Sequence, residues 1–557
     1  METLYFDLRD TKGQQKEIED KISAAAKLLR EGGLVGIPTE TVYGLGANAL
    51  DERAVARIFE AKGRPQDNPL LLHVPGAQWL ARYCVDVPPL AYELARRFWP
   101  GPLTMILKRS PLVSDRVTAG LDTVGVRCPD HPVTLAIIRD AGVPVAAPSA
   151  NRSGRPSCTT AEAVMEDMGG LIEGVVDGGP CVVGVESTIV DLTCQPPRLL
   201  RPGGLPVEDL ERIVGKIVVD RAVNAPMGEG EQPTAPGMKY RHYAPEAPVT
   251  VFTGSAGQTA KAIADRMTPG CGILCFDEFA PLFAGHIVHT LGPSGDKLAH
   301  AQRVFDALRA FDGTGVTRIL AQCPDNRGLG MAVSNRLKKA AGFHVVDVEQ
   351  PQIVIGITGG TGAGKTSALA AIQELGGEVL DCDRVYDELL ERSGELRRAI
   401  AETFGTGAFD QQGNLNRRTL AELVFNNKDS LDRLNRIVFA HMGAELRRRI
   451  SASENHLIAL DAINLLESGA GQMCDRTVAI TAPLELRVNR IMARDNIDEQ
   501  HARLRISAQH SDDYYRERCD EELRNDADSA ETFRRNAVEF FARLIEQAKE
   551  DKANGRK

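Results

Sequence analysis

The chain has 557 residues, 43% hydrophobic and 25% charged, with a net charge of −10. That length exceeds one hydrophobic core and predicts two to four domains of ordinary globular type. The acidic balance argues against a general polyanion binder, although it leaves room for a local basic groove, and no apolar run approaches the roughly 18 residues needed to cross a bilayer.

Taken in chain order, residues 18–31 read as a helix and 34–37 as a short buried strand. Residues 38–46, Pro-Thr-Glu-Thr-Val-Tyr-Gly-Leu-Gly, pack hydroxyls, a carboxylate and glycines into one turn. Lys62-Gly63-Arg64-Pro65 leads through Asn68-Pro69 into an apolar strand, 70–74, that contains His73. A helix over 90–98 follows, and then a strand over 143–147 that runs into Pro148-Ser149-Ala150-Asn151. Glu186-Ser187-Thr188 precedes another apolar run, 189–191. Each polar cluster alone reads as a turn. Together, at the ends of buried strands, they predict one convergent site for an anionic ligand. Lys62, Arg64, Arg127 and Arg201 supply its charge, and Ser149, Asn151 and Ser187 its oriented hydrogen bonds. A nucleic acid on a local basic face is the alternative occupant.

The segment 216–248 is rich in Gly, Pro and Glu and reads as a linker between a first domain over 1–215 and a second over 249–350. The second domain alternates strands, such as 249–252, 272–276 and 318–321, with helices. A third domain over 351–557 opens with the apolar strand 353–358. Gly359-Gly360-Thr361-Gly362-Ala363-Gly364-Lys365-Thr366 follows, a full match to the phosphate-binding pattern G-x-x-x-x-G-K-[ST], with a helix behind it. Backbone N–H groups of Gly362, Ala363, Gly364, Lys365, Thr366 and Ser367 are thus expected to cradle ATP phosphates. Lys365 would reach the β- and γ-phosphates, and the Thr366 hydroxyl Mg²⁺. Asp381 and Asp383 end the next strand, where a carboxylate can take a proton from an attacking hydroxyl or cap the following helix. Arg487, Arg490 and Arg494 recur near helical spacing, either closing over phosphates or lying on a solvated face. The eleven cysteines are scattered without a Cys-x-x-Cys, and no basic-then-apolar leader is evident. Reduced thiols in a cytoplasmic protein are therefore expected.

The turn at 38–46, Lys62-x-Arg64, Gly101-Pro102-Leu103-Thr104, Val126-Arg127-Cys128-Pro129, Ser149-x-Asn151, Glu186-Ser187-Thr188 and Arg201-Pro202-Gly203 together resemble the YrdC-like threonylcarbamoyl-AMP synthase family. The linker run 236–245, with Lys239, Tyr240, Arg241, His242 and Tyr243, and the run 327–337 resemble its long two-domain form. The resemblance implies a YrdC-like α/β domain with a twisted mixed sheet, then a small Rossmann-like α/β domain. It implies a reaction of L-threonine, bicarbonate and ATP that supplies a tRNA-modifying threonylcarbamoyl transferase, with Mg²⁺ on the triphosphate. By the same resemblance Thr41, His73, Arg127, Ala147 and Ser187 line threonine. Arg64, Asn68, Thr123, Ser149, Ser157, Arg201 and Tyr243 hold the nucleotide, and Lys62, Arg64, Ser149 and Asn151 form the catalytic polar signature. The aromatic, basic linker is read as a lid over the nucleotide. Direct contact with tRNA or another RNA is the alternative role for this half.

The third domain resembles dephospho-CoA kinase, through the phosphate loop, Asp381-Cys382-Asp383, Leu434-Asn435, Leu465-Leu466-Glu467, the 482–495 block and Gln509. This implies a P-loop kinase domain with a parallel sheet, dephospho-CoA as acceptor, and Lys365 and Asp383 as catalytic residues. The sequence departs from that family at Phe439-Ala440, where His-Pro is usual, at Asn464, where Pro is usual, and at Arg524-Asn525-Asp526. Another small-molecule kinase, or an ATP-binding domain without transfer, is the alternative for this half.

Overall fold

The computed structural model describes residues 2–9, 15–228, 231–238, 242–405, 408–409, 415–416, 419–420, 424, 427–527 and 529–553. Lys239, Tyr240 and Arg241 of the linker run lie outside them. The chain forms two compact units, Met1–Glu349 and Gln350–Lys557. Among the described residues no helix is long and apolar enough to cross a membrane.

The first unit contains two sheets. One has eleven strands in the order Leu4–Asp7, Gly174–Asp177, Val35–Ile37, Gly44–Asn48, Val145–Ala146, Leu71–His73, Thr123–Arg127, Leu103–Lys108, Thr188–Asp191, Arg198–Arg201 and Val218–Val219. Parallel and antiparallel pairs are mixed. The strand expected over 143–147 pairs only at Val145–Ala146. Pro144 and Pro148 bracket it, and a proline has no N–H to give to a ladder. Helix Glu52–Lys62 shows why its last residue matters. Asp51 caps its start by accepting from the N–H groups of Arg53 and Ala54, and Gly63 ends it in the left-handed conformation, φ 61°. Ala54, Val55, Ile58 and Phe59 form its buried face, and helical spacing carries Lys62 onto that same face.

The second sheet has five parallel strands, in the order Ile287–Thr290, Cys271–Cys275, Arg318–Gln322, Val249–Thr253 and Val345–Asp347. The segment between the sheets is more than a spacer. Val218–Val219 pairs with Arg198 and Leu199, and Ala222, Ala235 and Met238 bury against Leu71, Ile106, Ile189 and Leu200.

The second unit is a five-stranded parallel sheet, ordered Glu378–Asp381, Leu457–Asp461, Ile353–Thr358, Arg476–Thr481 and Glu521–Arg524. Ile353–Thr358 is central and every residue in it is buried, as its continuous apolar run requires when helices cover both faces. Ile353, Ile355 and Ile357 pack with Ala368, Ile372, Phe533 and Phe541, while Val354 packs on the other side with Leu446, Ile458 and Leu460. The loop after this strand needs its first glycine. Gly359 has φ 137°, and a Cβ there would lie 2.2 Å from the carbonyl oxygen of Ile480. Gly359→Ala is therefore expected to lower unfolding stability of this unit by about 2–4 kcal/mol, readable as a fall in its thermal midpoint.

Candidate functional sites

In the first unit the sheet register assembles the site. His73, Arg127 and Thr104 stand side by side on three neighbouring strands, with Val145 beyond His73 and Ile189 beyond Thr104. Ala147 and Ser187 sit at the adjoining strand ends. A narrow cavity of about 40 Å³ opens there, bordered by Arg64, His73, Arg127, Ala147, Ser149, Ser187, Arg201, Gly237 and His242, among others. It is smaller than the roughly 300–1,000 Å³ usual for small-molecule sites. Of the anticipated residues, Thr41, Lys62, Asn68, Asn151, Ser157 and Tyr243 do not border it, and neither does Thr123. It opens the strand that Arg127 ends, roughly 13 Å away along the chain at the usual strand rise.

The charged groups here are buried. Lys62 donates to the carbonyl oxygens of Ser149, at 2.5 Å, and Asn151. Burial first, and the neighbouring Arg64 second, push its ammonium down to about 7. Arg64 donates to the Pro69 carbonyl at 3.0 Å and to that of Asn68 at 3.4 Å. The Asn68 amide oxygen is buried and accepts no hydrogen bond. Arg201 wraps the Ser187 carbonyl through Nε and Nη2, at 3.1 and 3.0 Å, and reaches the Ser187 hydroxyl at 3.2 Å. Burial pushes Arg64 and Arg201 each down to about 10. Arg127 Nη2 lies 2.7 Å from Glu40 Oε2. The approach is that of an ion pair and lacks hydrogen-bond geometry, so the Nη2 donor stays unused. Burial and then Arg127 hold His73 well below the ordinary imidazole range, which keeps it neutral.

The hydroxyl side is equally connected. Thr41 shares a 2.9 Å bond with Thr39, and Ser187 a 2.8 Å bond with Thr104. Ser149 donates to Asn151 Oδ1 at 2.5 Å, and Asn151 in turn donates to the carbonyls of Arg152 and Arg155, both at 2.8 Å. Ser157 donates to Glu186 Oε1 at 2.8 Å. Burial raises the Glu186 pKa, but Arg336 and Arg201 outweigh it and hold the carboxyl at about 2. Tyr243 adopts φ 64°, unusual for a side chain of its size. Its ring stacks on Phe305, with centroids 5.2 Å apart. Lys339 was missed by sequence reasoning: it lies on the second sheet's helix Leu329–Ala340, donates to the Gly237 carbonyl, and burial pushes it down to about 7. Nothing in a helical Lys-Lys pair marks one of the two for a distant site.

In the second unit the phosphate loop has a turn bond of its own, from Ala363 N–H to the Gly360 carbonyl at 3.2 Å, and is otherwise held by neighbours. Thr361 N–H donates to Gln509 Oε1 at 2.7 Å, and Arg487 Nε donates to the Thr361 carbonyl at 3.0 Å. Asn525 Nδ2 donates to the Ala363 carbonyl at 2.8 Å, and Arg490 reaches the Gly362 carbonyl at 3.4 Å. Gly362 and Gly364 have positive φ, and helix Lys365–Glu374 starts at once, with Thr366 and Ser367 in its first turn. The Arg487 Nη2 donor is buried and without an acceptor. Arg494 instead pairs with Asp495 at 2.7 Å on the surface, so only two members of the anticipated arginine face meet the loop.

Lys365 Nζ lies 3.4 Å from Asp461 Oδ1. Asp461 closes the apolar strand next to the loop's own strand, a position where a lone terminal carboxylate was a readable signal. The two aspartates left open by sequence separate cleanly. Asp381 is the helix cap, its Oδ1 accepting from the N–H groups of Asp383 and Arg384 at 2.9 and 3.1 Å. The Asp383 carboxylate is not the cap; only its backbone N–H takes part. Burial first, then Asp381, raise its pKa, while Lys365 opposes them. Asp383 borders a cavity of about 650 Å³ that Asn435, Phe439, Met442, Asn464 and Glu467 also line. Two of the departures noted in the sequence, Phe439 and Asn464, therefore face this space.

Known proteins match three successive stretches of the chain. The Sua5/YciO/YrdC family model, described as telomere recombination, matches residues 27–203. The model described as threonylcarbamoyl-AMP synthase, C-terminal domain, matches 205–342. The dephospho-CoA kinase model matches 353–531. The threonylcarbamoyl-AMP synthase of Pyrococcus abyssi is 47% identical over 346 residues, covering 60% of this chain and 98% of that protein. The dephospho-CoA kinase of Salinibacter ruber is 34% identical over 191 residues, 34% of this chain and 96% of that protein. Among solved structures, P. abyssi Sua5 complexed with L-threonine matches with a TM-score of 0.57 and 45% identity, over 62% of this chain and 99% of that one.

Proposed function

We propose that this chain, which belongs to the threonylcarbamoyl-AMP synthase family through its first unit and to the dephospho-CoA kinase family through its second, is a bifunctional enzyme. The first activity joins L-threonine, bicarbonate and ATP. The threonine amine takes up CO₂ from bicarbonate to give a carbamate, a carbamate oxygen attacks the α-phosphate, and pyrophosphate leaves. The observation that carries this reading is electrostatic. Lys62, Arg64, Arg127, Arg201, Arg336 and Lys339 are all buried around the site, where Glu40 and Glu186 pair with Arg127 and Arg336, and the charges of Asp167, Asp67 and Asp220 act on Lys62, Arg64 and Lys339. Burying that many cations is costly without anionic partners, and a triphosphate with a carbamate supplies them. Thr41, His73, Arg127, Ala147 and Ser187 then hold threonine, and the neutral His73 adds no charge against its amine. Arg64, Asn68, Ser149, Ser157 and Arg201 hold the nucleotide, with Thr123 at its far end. Tyr243 and His242 close the site from the linker side, which limits hydrolysis of the adenylate. The product feeds a tRNA-modifying threonylcarbamoyl transferase, and the buried, unpaired cysteines suit a reducing cytoplasmic setting.

The second activity transfers the γ-phosphoryl group of ATP to the ribose 3′-hydroxyl of dephospho-CoA. Asp383 takes the hydroxyl proton, the oxygen attacks phosphorus, and ADP leaves. The raised pKa of Asp383 suits a base that must accept a proton near neutral pH. The 650 Å³ cavity beside it is of a size for the acceptor. Mg²⁺ fits the donors present, because Thr366 and Asp461 offer oxygens at the loop. Phosphate oxygens and water would complete its shell, as this ion prefers. It would neutralise charge on the transferring phosphate.

The synthase reading is tested by pyrophosphate release from the intact protein. Release that needs both threonine and bicarbonate supports it, and threonine-independent or absent release sinks it. For the kinase, Asp383→Asn is expected to lower kcat by on the order of 10²–10⁴-fold with ATP binding unchanged. The wild-type acid limb of the rate profile should lie above the ordinary aspartate range.

A further inference from the structure

Helix Leu329–Ala340 belongs to the five-stranded layer, and Ala332, Val333 and Leu337 pack into that layer's core. Its remaining buried face is polar and reaches the other sheet. Asn335 Nδ2 donates to the Val223 carbonyl at 2.8 Å. Arg336, fully buried, donates from Nε to Glu186 Oε2 at 2.7 Å and from Nη1 to the Pro202 carbonyl at 3.0 Å. Its guanidinium also lies 5.3 Å from the centre of the Tyr243 ring, which contacts the rings of His242 and Phe305 as well. Lys339 holds the Gly237 carbonyl.

The groups these two side chains grip share one property. Glu186 receives Ser157 on its other oxygen, Pro202 follows Arg201, and Gly237 and His242, the residue before Tyr243, bring the linker to the cavity rim. Ser157, Arg201 and Tyr243 belong to the nucleotide set given above, so the gripped groups adjoin that set. Thr41, His73 and Ala147, on the threonine side, receive no bond from this helix. An apolar pair at 336 and 339 would have been cheaper to bury, so the cations are retained for what they hold.

We propose that Arg336 and Lys339 are positioning residues for the nucleotide: Arg336 fixes Glu186, the turn after Arg201 and Tyr243 in one arrangement, and Lys339 fixes Gly237 beside them. The proposal rests on the synthase reading. Arg336 works through a planar fork that bonds a carboxylate and a carbonyl while covering an aromatic ring, which the single ammonium of a lysine cannot reproduce.

The test compares Arg336→Lys, Arg336→Ala and Lys339→Met in the intact protein. It reads the ATP KM, kcat, and L-threonine binding by calorimetry. Arg336→Lys and Arg336→Ala are expected to raise the ATP KM by about tenfold or more with threonine affinity unchanged. Guanidinium ion added to Arg336→Ala should restore part of the loss. Lys339→Met removes a buried charge and keeps the side-chain stem, so it folds even where an Arg336 variant does not. It should raise the ATP KM severalfold. Equal losses for ATP and threonine, or an unchanged ATP KM in folded Arg336→Lys and Lys339→Met, would overturn the proposal. A wild-type protein without threonine-dependent pyrophosphate release would instead sink the synthase reading on which it rests.

Discussion

Replacing Lys365 with alanine should lower the rate of dephospho-CoA phosphorylation by on the order of 10²–10³-fold and leave threonine-dependent pyrophosphate release unchanged. Lys365 is the first residue of its helix, follows a glycine of positive φ, and points no hydrogen bond into the loop itself. Its ion-pair partner is Asp461, at 3.4 Å, and its charge also acts on Asp383. Loss of the ammonium therefore removes charge from the transferring phosphate without unfolding the loop, which Gln509, Arg487 and Asn525 support independently. Removal of one such electrostatic contact costs on the order of 10²–10³-fold in kcat. Coupled assay of ADP formation in the variant checks this, with circular dichroism to confirm an intact fold. A variant that keeps more than a tenth of wild-type turnover would contradict the role.

The mirror experiment is Lys62→Ala, which should lower synthase kcat/KM by on the order of 10²–10³-fold while the kinase reaction stays at wild-type rate. Its two acceptors are backbone carbonyls, of Ser149 and Asn151, so the side chain ties the two halves of that motif to the helix end. The burial that pushes its pKa to about 7 also fixes the sign of its pH effects. The folded pKa lies below the ordinary value of 10.5, so the unfolded chain binds more protons between the two, and this group's contribution to stability rises with pH across that window. Lys339 acts in the same direction. A triphosphate beside Lys62 favours its charged form. ATP binding at pH 8 should therefore take up protons, seen as a dependence of calorimetric heat on buffer ionisation enthalpy. Lys62→Ala should reduce that uptake.

What the sequence disclosed followed the physics of each element. The strand Ile353–Thr358 was legible because a strand buried on both faces must be apolar throughout, and the glycines after it announce close approach of backbone to phosphate. Lys62 was legible as a site residue by its neighbours, although its burial comes from the helix period that puts it in line with Ile58 and Phe59. The pair Asp381 and Asp383 was ambiguous, since either could cap a helix, and only the backbone shows that Asp381 does. Arg494 has the spacing of a phosphate contact, yet the helix has turned it to Asp495. Lys339 and the grip of Arg336 on Glu186 were hidden for a different reason. They depend on the helix of one layer meeting the other sheet, a pairing more than a hundred residues apart that no local pattern encodes.

The most direct test of two activities in one chain is product analysis of a single reaction. The intact protein would be given L-threonine, bicarbonate, ATP, Mg²⁺ and dephospho-CoA, and the products identified by mass spectrometry. The account predicts that threonylcarbamoyl-AMP and coenzyme A both form, with threonylcarbamoyl-AMP lost when Lys62 is replaced and coenzyme A lost when Lys365 is replaced. Formation of only one product by the wild-type protein, or loss of both on either single substitution, would contradict it.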